Sequence, residues 1–459
     1  MKKFNKSLMA GLVVSGLVAS FGANATNGYF SHGYGTKNKG LAGGGVALPQ
    51  DAMAAATNPA GMAFVGARMD LGIAVFSPSP RSYSTTGGSG LADGAFCAPA
   101  GACPFTIGGS AGTQSIESDN DFFLIPHFAY NWQLNSDSTA GVTVYGNGGM
   151  NTEYVGGTAQ FNNGAGSTTS AAGTYGNGTA GVNLEQLFIN ASYARKYSAT
   201  GSVGASAILA YQRFEAKGLG NFAGFSLSGS NLTNKGVDSS TGFGLKLGIQ
   251  DDIAPGVTVG LSYQTEMDMD KFDKYKGLFA EDGGFDIPAT VTLGINWKTS
   301  ESTNLTFDVQ QIYYSDVKAI ANPISRLTDG SCVAGAPATG AGCLGGSNGA
   351  GFGWDDMTIY KLGYQWKQDE KMTYRAGISV GDQPIPNSEA VFNILAPAVI
   401  ETHLTFGFTM KTGKDSEFNF AGMYAPETSI TGPNAFNPGQ NITLEMTQLE
   451  LEASWGWKF

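Results

Sequence analysis

After its first 25 residues the chain has no stretch of the ~20 apolar residues that a membrane-crossing helix needs. The best later run, Val391 to Ile400, is broken by Asn393 and Pro397. Charge is scarce, at 14% of residues, and the formal balance of −11 leaves no basic surface of the kind a nucleic-acid partner requires. Histidine is limited to His32, His127 and His403, none beside a cysteine pair at zinc-like spacing, so a metal site lacks its donors and no cofactor motif stands out. Ser110 and Ser347 lie in the pattern G-x-S-x-G, but without the preceding strand and following helix of a nucleophile elbow; neither they nor the lone His127 and His403 make an enzyme. The four cysteines fall in two close pairs, Cys97/Cys103 and Cys332/Cys343.

What is present points outward from the cell. Residues 1–25 read as a secretory signal peptide: Lys2, Lys3 and Lys6, an uncharged apolar stretch from Leu8 to Phe21, then the cleavage motif Ala23-Asn24-Ala25. In an exported chain, local cysteine pairing reads as two disulfides, Cys97–Cys103 and Cys332–Cys343. Aromatics at 11% and the modest charge exclude a disordered chain.

The fold signal is a period of two. Leu449, Leu451, Ala453, Trp455, Trp457 and Phe459 alternate with Glu450, Glu452, Ser454, Gly456 and Lys458, so one face is apolar and aromatic and the other polar. About fourteen such runs follow one another from Arg68–Pro80 to Glu417–Tyr424 and Thr443–Phe459. The gaps between them alternate. Short polar ones, such as Ser198–Gly201 and Thr412–Ser416, are interleaved with long ones, such as Glu215–Ser240, Thr265–Ile287, Ser315–Asp356 and Ala425–Ile442. Short turns on one side and long loops on the other predict an all-β, antiparallel transmembrane barrel in the outer membrane, residues 68–459, in contact with outer-membrane lipid and lipopolysaccharide. Two long loops are greasy. They carry Leu219, Phe222 and Phe225, and Phe272, Tyr275, Leu278 and Phe279, which predicts either an exposed apolar groove for a hydrophobic molecule or loops that pack on each other and cap the barrel.

Residues 26–67 precede the first strand and do not alternate. They are glycine-rich, with Asp51 able to cap a short helical stretch through Thr57 and Asn58-Pro59 able to cap and open another. Their apolar content predicts a packed plug inside the barrel rather than a free tail. The elements Gly33-x-Gly35-x-Lys37-Asn38-Lys39-Gly40-x-Ala42-Gly43 and Asp51-Ala52…Asn58-Pro59-Ala60-Gly61-Met62 resemble the N-terminal hatch of the FadL/TodX family of outer-membrane hydrophobic-substrate channels. Phe285-Asp-Ile-Pro, Trp354-Asp355, Arg375-Ala-Gly377 and Pro384-Ile-Pro386 agree with it along the chain. The resemblance implies a monomeric fourteen-stranded barrel plugged by the hatch, taking up long-chain fatty acids or similar molecules passively, without cofactor. An aromatic-hydrocarbon channel of the same family is the alternative, and a general porin the rival outside it. It further implies capture in a groove between the third and fourth long loops, and lateral exit where strand three is kinked. On that basis Asn58, Pro59 and Ala60 are the gate element, lying beside the glycines Gly146, Gly148 and Gly149 that interrupt strand three. Alternation turns Lys246, Lys361 and Arg375 into the lumen, as candidate partners for a substrate carboxylate or as members of structural ion pairs with a lumen Asp or Glu.

Overall fold

The structure, a computed structural model, describes residues 27–88, 105–162 and 168–459; the signal-peptide segment and the Cys97/Cys103 pair lie outside these residues. The alternating runs become fourteen wall strands. They are β1 (Arg68–Ser77), β2 (Phe123–Gln133), β3 (Ser138–Asn151), β4 (Gly181–Lys196), β5 (Ser202–Lys217), β6 (Asp238–Ala254) and β7 (Val257–Gln264). The circuit continues with β8 (Thr290–Ser300), β9 (Thr303–Ile312), β10 (Met357–Lys367), β11 (Met372–Gly381), β12 (Thr402–Lys411), β13 (Ser416–Asn434) and β14 (Asn437–Lys458). Each pairs antiparallel with its sequence neighbours, and β14 closes on β1 from Arg68↔Lys458 to Ser77↔Leu449. Closure removes the sheet edges, whose unpaired amides lipid does not tolerate.

Burial is inverted relative to a soluble protein. Phe243, Leu245, Leu247 and Ile249 of β6 point outward, Phe243 with 73% of its surface exposed, while Lys246 among them and Gln250 after them are buried. In β14, Leu449, Leu451 and Trp455 are outside and Glu450 and Glu452 inside, each 2% exposed. An apolar outer band around a polar interior is the membrane-barrel pattern. At the short-turn end, aromatic rings gather on the outside: Trp366 with Tyr374 (5.9 Å), Tyr130 with Trp132 (4.5 Å) and Phe418 with Trp455 (4.6 Å). Amphipathic rings favour that level because one end is apolar and the other wet.

One expected loop is strand. Residues 425–442 belong to the β13–β14 hairpin, which stands above the wall; there β14 pairs with Arg81–Gly87, and that strand with Gln114–Glu117. The inward face of β14 is the same throughout, but its chemistry changes. Ile442, Leu444 and Met446 are buried among the loops, whereas Glu450 and Glu452 are buried in the lumen.

The segment from Asn27 to Gly66 lies inside the wall. One predicted cap is present: Asn58 Oδ1 accepts from the Ala60 amide (3.1 Å), opening the 3-10 helix Pro59–Phe64. Asp51 does not cap the helix Ala54–Thr57; its Oδ1 accepts from the amide of Met53 (3.1 Å), one residue ahead of that helix. The segment seats directly on inward-facing glycines: a Cβ at Gly204 would overlap the Pro59 backbone, and one at Gly248 the Asn58 side chain.

Candidate functional site

The long loops converge into a dome with a dry centre. Phe214 ends the inward face of β5, and the turn Gly220–Phe225 follows it. Residues 265–289 bring Leu278 and Phe279, residues 313–356 bring Leu344 and Phe352, and residues 382–401 bring Phe392. Together with Leu219 and Phe222 they enclose a void of about 30 Å³ to which no polar side chain contributes.

Of the two readings of these loops, the packed cap is the one observed, and the exposed groove is not. Leu219, Phe222, Phe272, Tyr275 and Phe279 are buried, and Phe225 and Leu278 half-buried, because residues 313–356 and 382–401 roof the two greasy loops. Leu219, Phe222, Leu278 and Phe279 line the void. Phe272 and Tyr275 stand behind it on Phe214 (5.6 and 4.9 Å), and Phe225 packs on Phe436 (5.9 Å).

Ring contacts lead inward from this void. Phe279 touches Phe285 (4.8 Å), Phe285 touches Tyr29 (6.1 Å), and Tyr29 touches Phe30 (5.1 Å) and Tyr314 (5.3 Å). The series ends at a break in the wall. β2 pairs with β3 only from Gln133↔Thr139 to Phe128↔Val144; beyond Val144, β3 shifts register between Gly146 and Gly148 and pairs only with β4. The amides and carbonyls released there are met from inside. Gly149 donates to the Tyr29 carbonyl (2.8 Å), Ser31 donates to the Asn147 carbonyl (2.8 Å), and Phe30 bridges Gly148. Gly148 admits this approach because a Cβ would overlap Tyr29.

Gly146, Gly148 and Gly149 thus sit at the break, as expected, but Asn58, Pro59 and Ala60 do not cover it. Asn58 Nδ2 donates to the carbonyls of Val46 (2.8 Å) and Ile249 (3.3 Å), and the Ala60 carbonyl accepts from Ser202 Oγ (2.9 Å), so this element rests on β5 and β6. The cover is Tyr29–Ser31, an aromatic-led run whose signal in the sequence is two consecutive rings in a glycine-rich stretch.

Lys246 and Lys361 face in, as alternation predicts. They flank a second void of about 30 Å³, polar and separate from the first, shared with His32, Gln264 and Gln310. The Lys246 ammonium bonds the Ala56 carbonyl, and that of Lys361 the carbonyls of His32 (3.1 Å) and Gly43 (3.4 Å). Arg375 is elsewhere: it bonds Gln50 Oε1 and Gln365 Oε1 (2.9 Å each) and Thr409 Oγ1 (2.8 Å), an arrangement within the seat of the N-terminal segment.

The residues that anchor this segment are carboxylates on the same alternating faces. Lys39 pairs with Glu450 (2.6 Å) and Glu452 (2.7 Å), and Thr36 donates to Glu452 (2.7 Å). Lys37 and Arg68 share Glu417 (2.5 and 2.8 Å), and Arg68 also holds Asp70. Burial works against the Lys39 ammonium, yet Glu450 and Glu452 outweigh it and hold it above its usual range. For Lys37, burial and the Arg68 charge outweigh Glu417 and pull it below. Burial, with Lys39, His403 and Lys361 nearby, holds the His32 imidazole well below its own. Ser110 and Ser347 are exposed on loops. His403 Nδ1 meets Ser379 Oγ (3.0 Å) in the wall, and His127 lies 3.4 Å from Glu452. Among the described residues no cluster has the donors for a metal ion.

A closed barrel, a buried N-terminal segment and an all-apolar loop cavity define this arrangement, and a sequence profile described as outer membrane protein transport protein (OMPP1/FadL/TodX) matches residues 16–447. The chain belongs to this family. It is a FadL/TodX-family transport protein of the bacterial outer membrane. The barrel is similar to that of the P. putida toluene transporter TodX (18% identity, TM-score 0.61, 93% of this chain and 99% of that chain). It is also similar to a Pseudomonas aeruginosa FadL homologue (14%, 0.60, 94% and 100%) and to the Ralstonia pickettii toluene transporter TbuX (16%, 0.58, 93% and 99%). No curated protein sequence matches the chain.

Proposed function

We propose that this FadL/TodX-family channel passes small, neutral, hydrophobic molecules, with monoaromatic hydrocarbons as the substrate class. The observation that carries the reading is the wholly apolar loop cavity, joined by ring contacts to the break between β2 and β3. A charged head group in such a cavity is unpaired and costly, whereas each buried methylene stabilises by ~0.8 kcal/mol. Tyr29–Ser31 act as the gate. Their withdrawal from Gly148 and Asn147 uncovers a lateral exit into the membrane, so the solute need not cross the polar lumen. The protein works as a monomer, without cofactor and without catalysis.

Long-chain fatty acids are the second reading, favoured by Lys246 and Lys361, whose ammoniums hydrogen-bond backbone carbonyls and flank the polar void. The test is uptake of radiolabelled toluene and oleate by cells lacking their own channel of this family and expressing this chain. Toluene uptake that is unchanged in Lys246→Met/Lys361→Met supports the first reading. Oleate uptake that collapses in that variant, with no toluene uptake, establishes the second.

A further inference from the structure

We propose that the cystine Cys332–Cys343 sets the size limit of the loop cavity by pinning its roof. The inference rests on the transport reading above and goes beyond it in naming the part that decides which solutes fit. Cys332 and Cys343 are bonded across a separation of 11 residues, and both are buried. The residue immediately after the second cysteine, Leu344, lines the cavity.

Leu344 is also where three loops are sewn together. Its amide donates to the Phe225 carbonyl (2.9 Å), and its carbonyl accepts from the Leu227 amide (3.0 Å), a parallel bridge opposite Ser226. One and two residues on, the carbonyls of Gly345 and Gly346 accept from the amides of Asp282 (3.1 Å) and Glu281 (2.8 Å). The other arm of the cystine loop is tied down as well, by the Gly335 amide on the Gly224 carbonyl (2.9 Å). Leu344–Gly346 is therefore a roof strand lying across both greasy loops, and the cystine fixes it to a second attachment point on the first of them.

The size argument follows from the void. At about 30 Å³ it is far smaller than the roughly 150 Å³ apolar cavity that accepts benzene in a soluble protein. A guest must displace part of the lining. With the roof pinned, only side-chain rotation supplies space, and that suffices for a compact solute. With the cystine opened, the glycines after Leu344 let the roof strand lift as a unit, and broader solutes fit. The cystine thus acts as a positioning element, through Leu344.

The experiment compares toluene with phenanthrene, a broader three-ring solute. Uptake of each is measured in proteoliposomes carrying the oxidised protein, the protein treated with a phosphine reductant, and the double variant Cys332→Ser/Cys343→Ser. Heat-modifiability on gels confirms an intact barrel, and the reduced wild-type protein, folded before reduction, covers a failure of the variant to fold. We expect the phenanthrene-to-toluene ratio to rise several-fold in both opened forms, with toluene uptake itself unchanged. The same ratio in all three forms overturns the inference while leaving the transport reading intact. No protein-dependent uptake of either solute in any form overturns the transport reading and this inference with it.

Discussion

At the scale of single residues, the N-terminal segment is held by charges that water does not screen. Lys39 is the cation for both Glu450 and Glu452, each 2% exposed. Removing one member of such a group leaves uncompensated charge in a dry place, so Lys39→Met should destabilise the folded barrel by about 3–5 kcal/mol. Urea unfolding in detergent measures this, and Lys39→Met/Glu450→Gln/Glu452→Gln should recover most of the loss. A second prediction concerns pH. Because burial and the nearby Lys39, His403 and Lys361 depress the His32 pKa, the seated segment refuses a proton that a released segment binds below about pH 6.5. Seating is therefore unaffected above that pH and weakens as pH falls below it. Baseline conductance in planar bilayers should rise between pH 7 and pH 5 in the wild type and stay flat in His32→Asn. These anchors were half-legible in the sequence. Alternation places Glu450 and Glu452 on the inward face, and Lys39 stands out only as part of the motif that resembles the family's hatch. Nothing in the spacing says that a residue 411 positions away will meet Glu450.

At the scale of elements, a period of two located the wall strands because lipid on one side and a polar lumen on the other keep the contrast between faces high. It failed where the surroundings change. Above the membrane, the outward residues Asn441, Thr443 and Glu445 of β14 meet water, and the inward Ile442, Leu444 and Met446 meet the loop dome. The apolar phase therefore flips between the two halves of one strand; the sequence reading ends β13 at Tyr424 and begins β14 only at Thr443, leaving the tip of this hairpin as a loop. The greasy loops were legible as apolar but not as buried, since their cover comes from residues 313–356 and 382–401, far along the chain. A prediction separates lining from packing. Phe222→Asp/Phe279→Asp should lower toluene uptake at limiting concentration by at least about tenfold, since a carboxylate in a dry site costs more than the ~1.4 kcal/mol that a factor of ten represents. Phe225→Asp, outside the lining and half-buried against Phe436, should leave uptake near the wild-type level. Both variant barrels should remain heat-modifiable.

At the scale of the whole molecule, closure and leakage are balanced by one inserted strand-like segment. The wall closes through β14 on β1, yet the ladder between β2 and β3 stops at Phe128↔Val144, and Tyr29–Ser31 complete it from within. The existence of a barrel and its strand number were readable from patterning, and that the glycines of strand three mark a break was implied by the family resemblance. The identity of the cover was not, because the element that looked suited to it, Asn58-Pro59-Ala60, is held on β5 and β6 by bonds to Ile249 and Ser202. The central claim is that solute leaves through the break that Tyr29–Ser31 cover. The most direct measurement replaces Ser31 and Asn147 by cysteine in a protein whose Cys97 and Cys103 are serine and whose Cys332–Cys343 bond is intact. The new pair is joined with a short bis-maleimide, and labelled toluene uptake is followed in cells. The account predicts that uptake falls to the level of cells without the channel once the cross-link is complete, while either single cysteine treated in the same way transports normally. Undiminished uptake in the fully cross-linked protein would contradict it and place the exit elsewhere in the molecule.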